Sequence, residues 1–324
     1  MITSLALCAL LAAAPQAPAA GESSVVTLLG TGTPQPRLDR LGPATLVEAG
    51  PHRLLFDAGR GVAIRLEQAG VRSGSVGPVF LTHLHSDHVT GLPDLWLTGW
   101  LPSFGGRSTP LEVIGPVGTV GLVQGMRQAF AEDVRRRTAE ERLPPGGAGL
   151  AGREFSRDTV VFSDAGVVVE AFLVDHGGEL KPAYGYRVSY GGRSVVISGD
   201  TRYSPHLVER ATGADLILHE VAMAPAAMRE QPAIRFILGH HTSPEEVARV
   251  FTLTRPRLAV LTHFALPPSR NGAPQATPEM AVAEARRGYA GRLEAGFDLM
   301  RIVVGDSVRV GLTPTPRAEA RARP

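Results

Sequence analysis

Cysteine is nearly absent: the 324-residue chain contains one, Cys8. It falls within the first twenty residues, so the rest of the chain has neither a disulfide nor a thiolate metal ligand. Charge of one sign is lacking too. The formal net charge is +2, so a sequence pI near 9.0 overstates the case for nucleic acid. The one basic cluster, Arg135-Arg136-Arg137, is flanked by Glu132, Asp133, Glu140 and Glu141, the pattern of a solvated helix face. The apolar stretch Leu5 to Ala14 is too short to cross a bilayer. What is present, 44% hydrophobic and 20% charged residues, describes a globular chain long enough for one large α/β domain or two ordinary ones.

Residues 1–20 carry no charged side chain, and Ala17-Pro18-Ala19 offers a small-residue cleavage pattern. They read as a secretory signal peptide, predicting a periplasmic or secreted protein, although a basic residue near the start is missing. A lipoprotein anchor at Cys8 is disfavoured because Leu7 stands where a small residue is expected. A domain over 21–313 and a loose Pro-, Ala- and Arg-rich tail over 314–324 complete the expected organisation.

The densest chemistry lies in Thr82-His83-Leu84-His85-Ser86-Asp87-His88, directly after the apolar run Val79-Phe80-Leu81. Side chains two apart in extended chain point the same way. His83 and His85 can therefore reach one ion together, while Asp87 and His88, in the turn that follows, swing toward a second position. Imidazole and carboxylate without thiolate suit zinc or a similar divalent metal.

The remaining motifs recur at strand ends, where an α/β sandwich gathers its chemistry. A first strand, Val25 to Leu29, runs into Gly30-Thr31-Gly32-Thr33-Pro34, read as a tight turn at the edge of the site. Ala44–Glu48 and Arg53–Asp57 predict a hairpin, and Val62–Ala69 a short helix. Asp57 reads equally as that helix's N-cap or as a carboxylate orienting a ligand histidine. Gly91 to Trp100 predicts a helix carrying both tryptophans, Trp96 and Trp100, four residues apart. Core packing is their default role, with an apolar substrate pocket beside the metals as the sharper alternative. Leu111–Pro116 reads as a strand and 117–143 as helical. Further strands are expected at 159–162, 167–174, 184–189 and 194–198. Asp175-His176, Gly199-Asp200-Thr201, His219-Glu220, His240-His241-Thr242-Ser243 and Thr262-His263-Phe264 each mark an element boundary. Counting Thr82–His88, eight of the ten histidines fall in such segments, leaving His52 and His206 as surface residues.

H-x-H-x-D-H is the pattern of the metallo-β-lactamase fold superfamily. The order of motifs from Gly30-Thr31-Gly32-Thr33-Pro34 to Leu261-Thr262-His263-Phe264, with His176 ahead of Gly185-Tyr186-Arg187, resembles its ribonuclease Z-like group over about residues 24–312. The resemblance implies an αββα sandwich of two mixed sheets with helices outside. It implies two Zn2+ per chain, one on His83, His85 and His176, the other on Asp87, His88 and His263, with Asp200 bridging. A shared hydroxide would attack an anionic ester, Asp87 would accept a hydrogen bond from it, and His241, supported by Glu220, would serve the leaving group.

The tRNA-processing members carry a long arm between the equivalents of His176 and Asp200, which are only 24 positions apart here. The chain therefore looks more like the arylsulfatase-type and small-molecule phosphodiesterase members. The expected substrate is a small anionic ester, with no stable nucleic-acid partner and no transmembrane segment in the mature chain, and relatives imply a homodimer. Lactonase or β-lactamase activity, a ribonuclease Z-like nuclease, and a non-catalytic metal-binding protein stand as the other readings.

Overall fold

The computed structural model describes residues 22–179, 181–268 and 275–313. The expected signal peptide 1–20 with Cys8, and the tail 314–324, lie outside the described residues. In chain order the strands are Ser24–Gly30 (β1), Ala44–Ala49 (β2), His52–Phe56 (β3), Val79–Phe80 (β4), Leu111–Pro116 (β5) and Leu150–Phe155 (β6). Then come Thr159–Asp164 (β7), Val167–Val174 (β8), Ala183–Tyr190 (β9), Arg193–Ile197 (β10), Leu216–Ala222 (β11), Leu258–Ala265 (β12), Leu293–Ala295 (β13), Met300–Val304 (β14) and Val308–Leu312 (β15).

Two sheets result, ordered β15-β14-β1-β2-β3-β4-β5-β6 and β13-β12-β11-β10-β9-β8-β7. Each is antiparallel at one end and parallel at the other. The first changes at β3, whose neighbours are antiparallel β2 and parallel β4. The second changes at β10, between antiparallel β9 and parallel β11.

Alternation along each strand builds the layers. Val47, Leu54, Phe56, Phe80 and Ile114 face Val169, Ala171, Tyr186, Val195 and Leu218 between the sheets. Their neighbours Leu46, Leu55, Val79 and Val113 point outward and are covered by the helices Val62–Gln68, Leu92–Trp100 and Thr119–Ala129. On the other outer face Val196, Ile217 and Ala259 pack beneath Pro205–Ala211, Pro244–Thr254 and Pro278–Ala285. With both faces buried, the central strands read as nearly continuous apolar runs. This is the expected helix–sheet–sheet–helix sandwich.

Two expectations need correction. Residues 117–143 hold two helices, Thr119–Ala129 and Ala131–Glu140, because Phe130 leaves helical geometry (φ −106°, ψ 11°). Its ring instead meets Trp96 edge-on at 6.1 Å. Strands β6, β13, β14 and β15 were not anticipated either. Among the described residues no helix is long and apolar enough to cross a membrane.

Candidate metal centre

The backbone delivers each candidate ligand by a specific device. Asp57 follows β3 in the left-handed region (φ 59°), which an Asp tolerates better than most residues. Its carboxylate accepts the Thr82 N–H at 2.8 Å and the His88 Nδ1–H at 2.8 Å. The helix Val62–Gln68 starts from Gly61 without a side-chain cap. Asp57 is therefore the carboxylate that orients His88. Extended chain carries His83 and His85, and the one-turn helix Ser86–Val89 carries Asp87 and His88. That turn packs tightly: a Cβ on Gly91 would stand 2.1 Å from the Gly59 carbonyl oxygen.

His176 lies just past β8 and its Nδ1 donates to the His240 carbonyl at 2.8 Å, leaving Nε2 free to face the site. After β10, Gly199 turns the chain at φ 61°, where a Cβ would come within 2.5 Å of the Tyr184 carbonyl oxygen, and Asp200 follows. In the β11–β12 pairing Glu220 faces Thr262 and Val221 faces Phe264, so His263 is the extra residue of a bulge. Its φ of 40° is strained for a side chain of this size. A bulge re-aims a side chain, and here it turns His263 toward Asp87.

All seven expected ligands meet in one place. His83, His85, His176 and Asp200 form one group whose donor atoms lie within 4.8 Å of one another, Asp87, His88 and His263 form a second, and Asp200 and His263 group with His241 in a third. Asp200 Oδ2 lies 4.0 Å from His83 Nε2, 3.7 Å from His176 Nε2, 3.5 Å from His88 Nε2 and 3.4 Å from His263 Nε2. His263 Nε2 is 3.3 Å from Asp87 Oδ2, and His85 Nδ1 is 3.4 Å from His176 Nε2. Donors ~2.0–2.1 Å from a tetrahedral zinc are spaced at about 3.3 Å, so these separations suit ligands around an ion.

Electrostatics agree. The Nε2 atoms of His83 and His88 are buried without a hydrogen-bond partner, as free ligand atoms would be. Burial pushes His83 and His85 down and takes His176 down to about 4, so all three stay neutral as metal ligation requires. Burial also opposes charge on His88, yet Asp200 and Asp57 together raise it well above its ordinary value. Asp200 is held well below the usual carboxylate range: burial resists this, and His263 and His88 overcome it. The carboxylates thus set a field that a cation satisfies. The His/Asp cluster could hold a divalent metal.

Glu220, buried in β11, accepts the Thr242 N–H at 2.7 Å and faces His241 Nδ1 at 3.1 Å. The His241 ring lies 5.6 Å from His263 and 5.1 Å from His176, beside the ligand set. Burial would lower its pKa, but the Glu220 carboxylate carries it up to about 9. Ser243 and Glu246 close a capping box that starts the following helix and fixes this turn.

The tryptophans do not line the site. Trp96 and Trp100 are 1% and 0% exposed. Their indole N–H groups donate to the carbonyls of Ala148 at 3.1 Å and Pro144 at 2.8 Å. The helix Leu92–Trp100 turns that face against the outer layer. His219 is likewise a core residue, with Nδ1 donating to the Glu220 carbonyl. Two contributors had escaped notice. The Thr82 hydroxyl sits between Asp57 (2.9 Å), His83 (3.0 Å) and His88 (3.4 Å). Its position just before His83 was the available signal. The His240 carbonyl, a backbone atom, gave none.

Clefts flank the centre on both sides. One, of about 220 Å3, is lined by His241, His263, Pro34, Ile237, Leu266 and their neighbours. The other, of about 200 Å3, is lined by His83, His85, Pro116, Glu179 and Lys181 among others. Asp298 pins the turn ahead of Pro34 by accepting the Thr31 N–H at 2.9 Å and the Leu41 N–H at 2.7 Å.

The chain matches the protein family described as "Beta-lactamase superfamily domain" over residues 52–264. It is similar to ribonuclease Z of Mycobacterium marinum (strain ATCC BAA-535 / M), 37% identical over 283 residues covering 86% of this chain and 98% of that one. Its fold is similar to that of the metallo-β-lactamase fold protein YhfI from Bacillus subtilis, with TM-score 0.64 and 20% identity over 89% of this chain and 100% of the other. The short form of human tRNase Z gives TM-score 0.58 and 25% identity, covering 86% and 98% of the two chains. The expectation of no nucleic-acid partner does not fit relatives that bear the name ribonuclease Z. Nor does the short interval from His176 to Asp200 set this chain apart, because 283 aligned residues covering 98% of the Mycobacterium marinum protein leave no room there for a long additional arm.

Proposed function

Because the chain belongs to the β-lactamase superfamily and is a homologue of ribonuclease Z, we propose that it hydrolyses phosphodiesters using two zinc ions held by the two triads. The observation that carries this reading is Asp200, whose Oδ2 faces histidines of both triads at 3.4–4.0 Å. His83, His85 and His176 would hold one ion, Asp87, His88 and His263 the other, and Asp200 both. When bound, such a pair supplies a water acidified toward neutrality and positive charge against the phosphoryl oxygens.

The protein's own groups do the rest. Asp87, kept below its usual pKa by His263 and His88 against the cost of burial, stays ionised and accepts a hydrogen bond from the attacking water. Glu220 takes the Nδ1–H of His241 and fixes the ring, so that Nε2 carries the proton delivered to the departing oxygen. Asp57 and the His240 carbonyl hold His88 and His176 in their ligating orientations.

RNA is itself a phosphodiester, and the relatives' name favours a nuclease as the second reading. Sulfate and carbon esters are the outside competitors for the same site. The test is kcat/KM of the zinc-loaded protein on a bis(aryl) phosphodiester, the matching aryl sulfate, a lactone and a 3′-extended RNA. We expect phosphodiesters to lead the sulfate and lactone by about a hundredfold, ~2.7 kcal/mol in transition-state binding. A lead for sulfate or lactone overturns the proposal, and RNA turned over ahead of the small diester establishes the nuclease reading.

A further inference from the structure

The clefts on either side of the metal centre differ in chemistry. The one shared by His241 and His263 has walls of Pro34, Ile237, Ala265, Leu266, Pro267 and Pro268 beside the uncharged Thr33 and Gln35, and among the described residues no Asp, Glu, Lys or Arg lines it. The one shared by His83 and His85 contains Glu179 and Lys181. Lys181 is the only lysine in the chain, and it makes no ion pair within 4.0 Å among the described residues.

Among the described residues His241 borders a cleft and stands outside both proposed triads, and it lines the apolar side. The departing oxygen must lie where a proton can reach it, so its substituent occupies the cleft beside His241. We propose that the scissile ester is cleaved in one direction, the alcohol with the apolar, ring-sized substituent leaving into the Pro34–Ile237–Leu266 pocket and the charged part of the substrate staying on the Lys181 side. This rests on the phosphodiesterase reading and names the substrate class within it. At about 220 Å3 the pocket is below the ~300 Å3 at which drug-sized ligand sites begin, which suits one ring or a short chain. A charged substituent there would lose water and find no counter-charge among the described residues that line the pocket.

Two diesters test this: methyl 4-ethylphenyl phosphate and methyl 4-(carboxymethyl)phenyl phosphate. The retained group is the same, and the leaving phenols have similar acidity but differ in charge at the far end. Binding of the matching benzylphosphonate methyl esters, in which CH2 replaces the leaving oxygen, is measured in parallel by calorimetry. The zinc-loaded wild type is expected to favour the ethyl compound at least tenfold in kcat/KM and in affinity. Ile237→Arg is expected to erase or invert the preference with zinc content unchanged. Leu266→Gln, which keeps the volume, should reduce it, and Lys181→Gln should leave it untouched. Equal treatment of the two compounds by the wild type overturns the proposal, as does a Lys181→Gln effect as large as that of Ile237→Arg. If the phosphonates are discriminated as expected but neither diester turns over, the pocket stands and the phosphodiesterase reading falls.

Discussion

In the proposed centre His83, His85 and His176 would bring three imidazoles to one ion, whereas Asp87, His88 and His263 would bring to the other a carboxylate, a histidine backed by Asp57, and a histidine on a strained bulge. The first triad includes the half-buried His85; the side chains of the second are 1–5% exposed, with His263 at the edge of the apolar cleft. Asp200 would serve both. A buried carboxylate and a carboxylate-backed imidazole would make the second triad the retention half of the centre and the first, with His85, the more exposed half.

The largest effect should follow from removing what the halves share. Asp200→Ala should leave fewer than one zinc per chain by elemental analysis. Its loss of kcat/KM should exceed the ~10³-fold typical of losing a single electrostatic contact. Next, His241→Ala should keep both ions and lower kcat by ~10²–10⁴-fold, because it removes a proton donor and no ligand. Full kcat in that variant would remove His241 from the chemistry.

Asp57→Ala attacks the retention half alone. Metal titration should show the second triad weakened by ~10–100-fold, with the first unchanged. Equal weakening of both would erase the proposed difference between them.

The pH dependence has a definite sign. The Glu220 carboxylate, working against burial, raises His241 to about 9 from an ordinary 6.5. Stability from that protonated pair is fully present below pH 6.5 and is lost as pH rises through about 9. Acid catalysis disappears in the same direction, and nearby dications bring that limb of the rate profile to or below pH 9. Glu220→Gln should shift the falling limb to lower pH; a shift to higher pH contradicts the pairing. The smallest effect on turnover belongs to Trp96→Phe. It leaves the Ala148 carbonyl unpaired at a stability cost of about 1–3 kcal/mol, visible as a lower Tm, and should leave kcat/KM unchanged.

The clustering of these His and Asp side chains was legible because metal ligation depends on side-chain type, and they sit at recognisable strand ends. The sandwich was legible because its inner strands are apolar on both faces. Other features turn on facts that local sequence does not carry. Which way the helix Leu92–Trp100 rotates its tryptophans is set by the loop carbonyls of Pro144 and Ala148, some fifty residues away in sequence. Strand β6 (Leu-Ala-Gly-Arg-Glu-Phe) buries only Leu150, so its pattern is faint. The apolar pocket draws its walls from residues 33–35, 237 and 265–268, segments joined only by the fold. Asp57 was ambiguous until His88, 31 positions on, met its carboxylate.

The central claim, two ions acting together on a phosphodiester, is tested most directly by adding zinc stepwise to metal-free protein and following bis(aryl) phosphodiester hydrolysis against equivalents added. Activity that stays low through the first equivalent and reaches its plateau at the second is the predicted result. A plateau at one equivalent, or no diester hydrolysis at any loading, contradicts it.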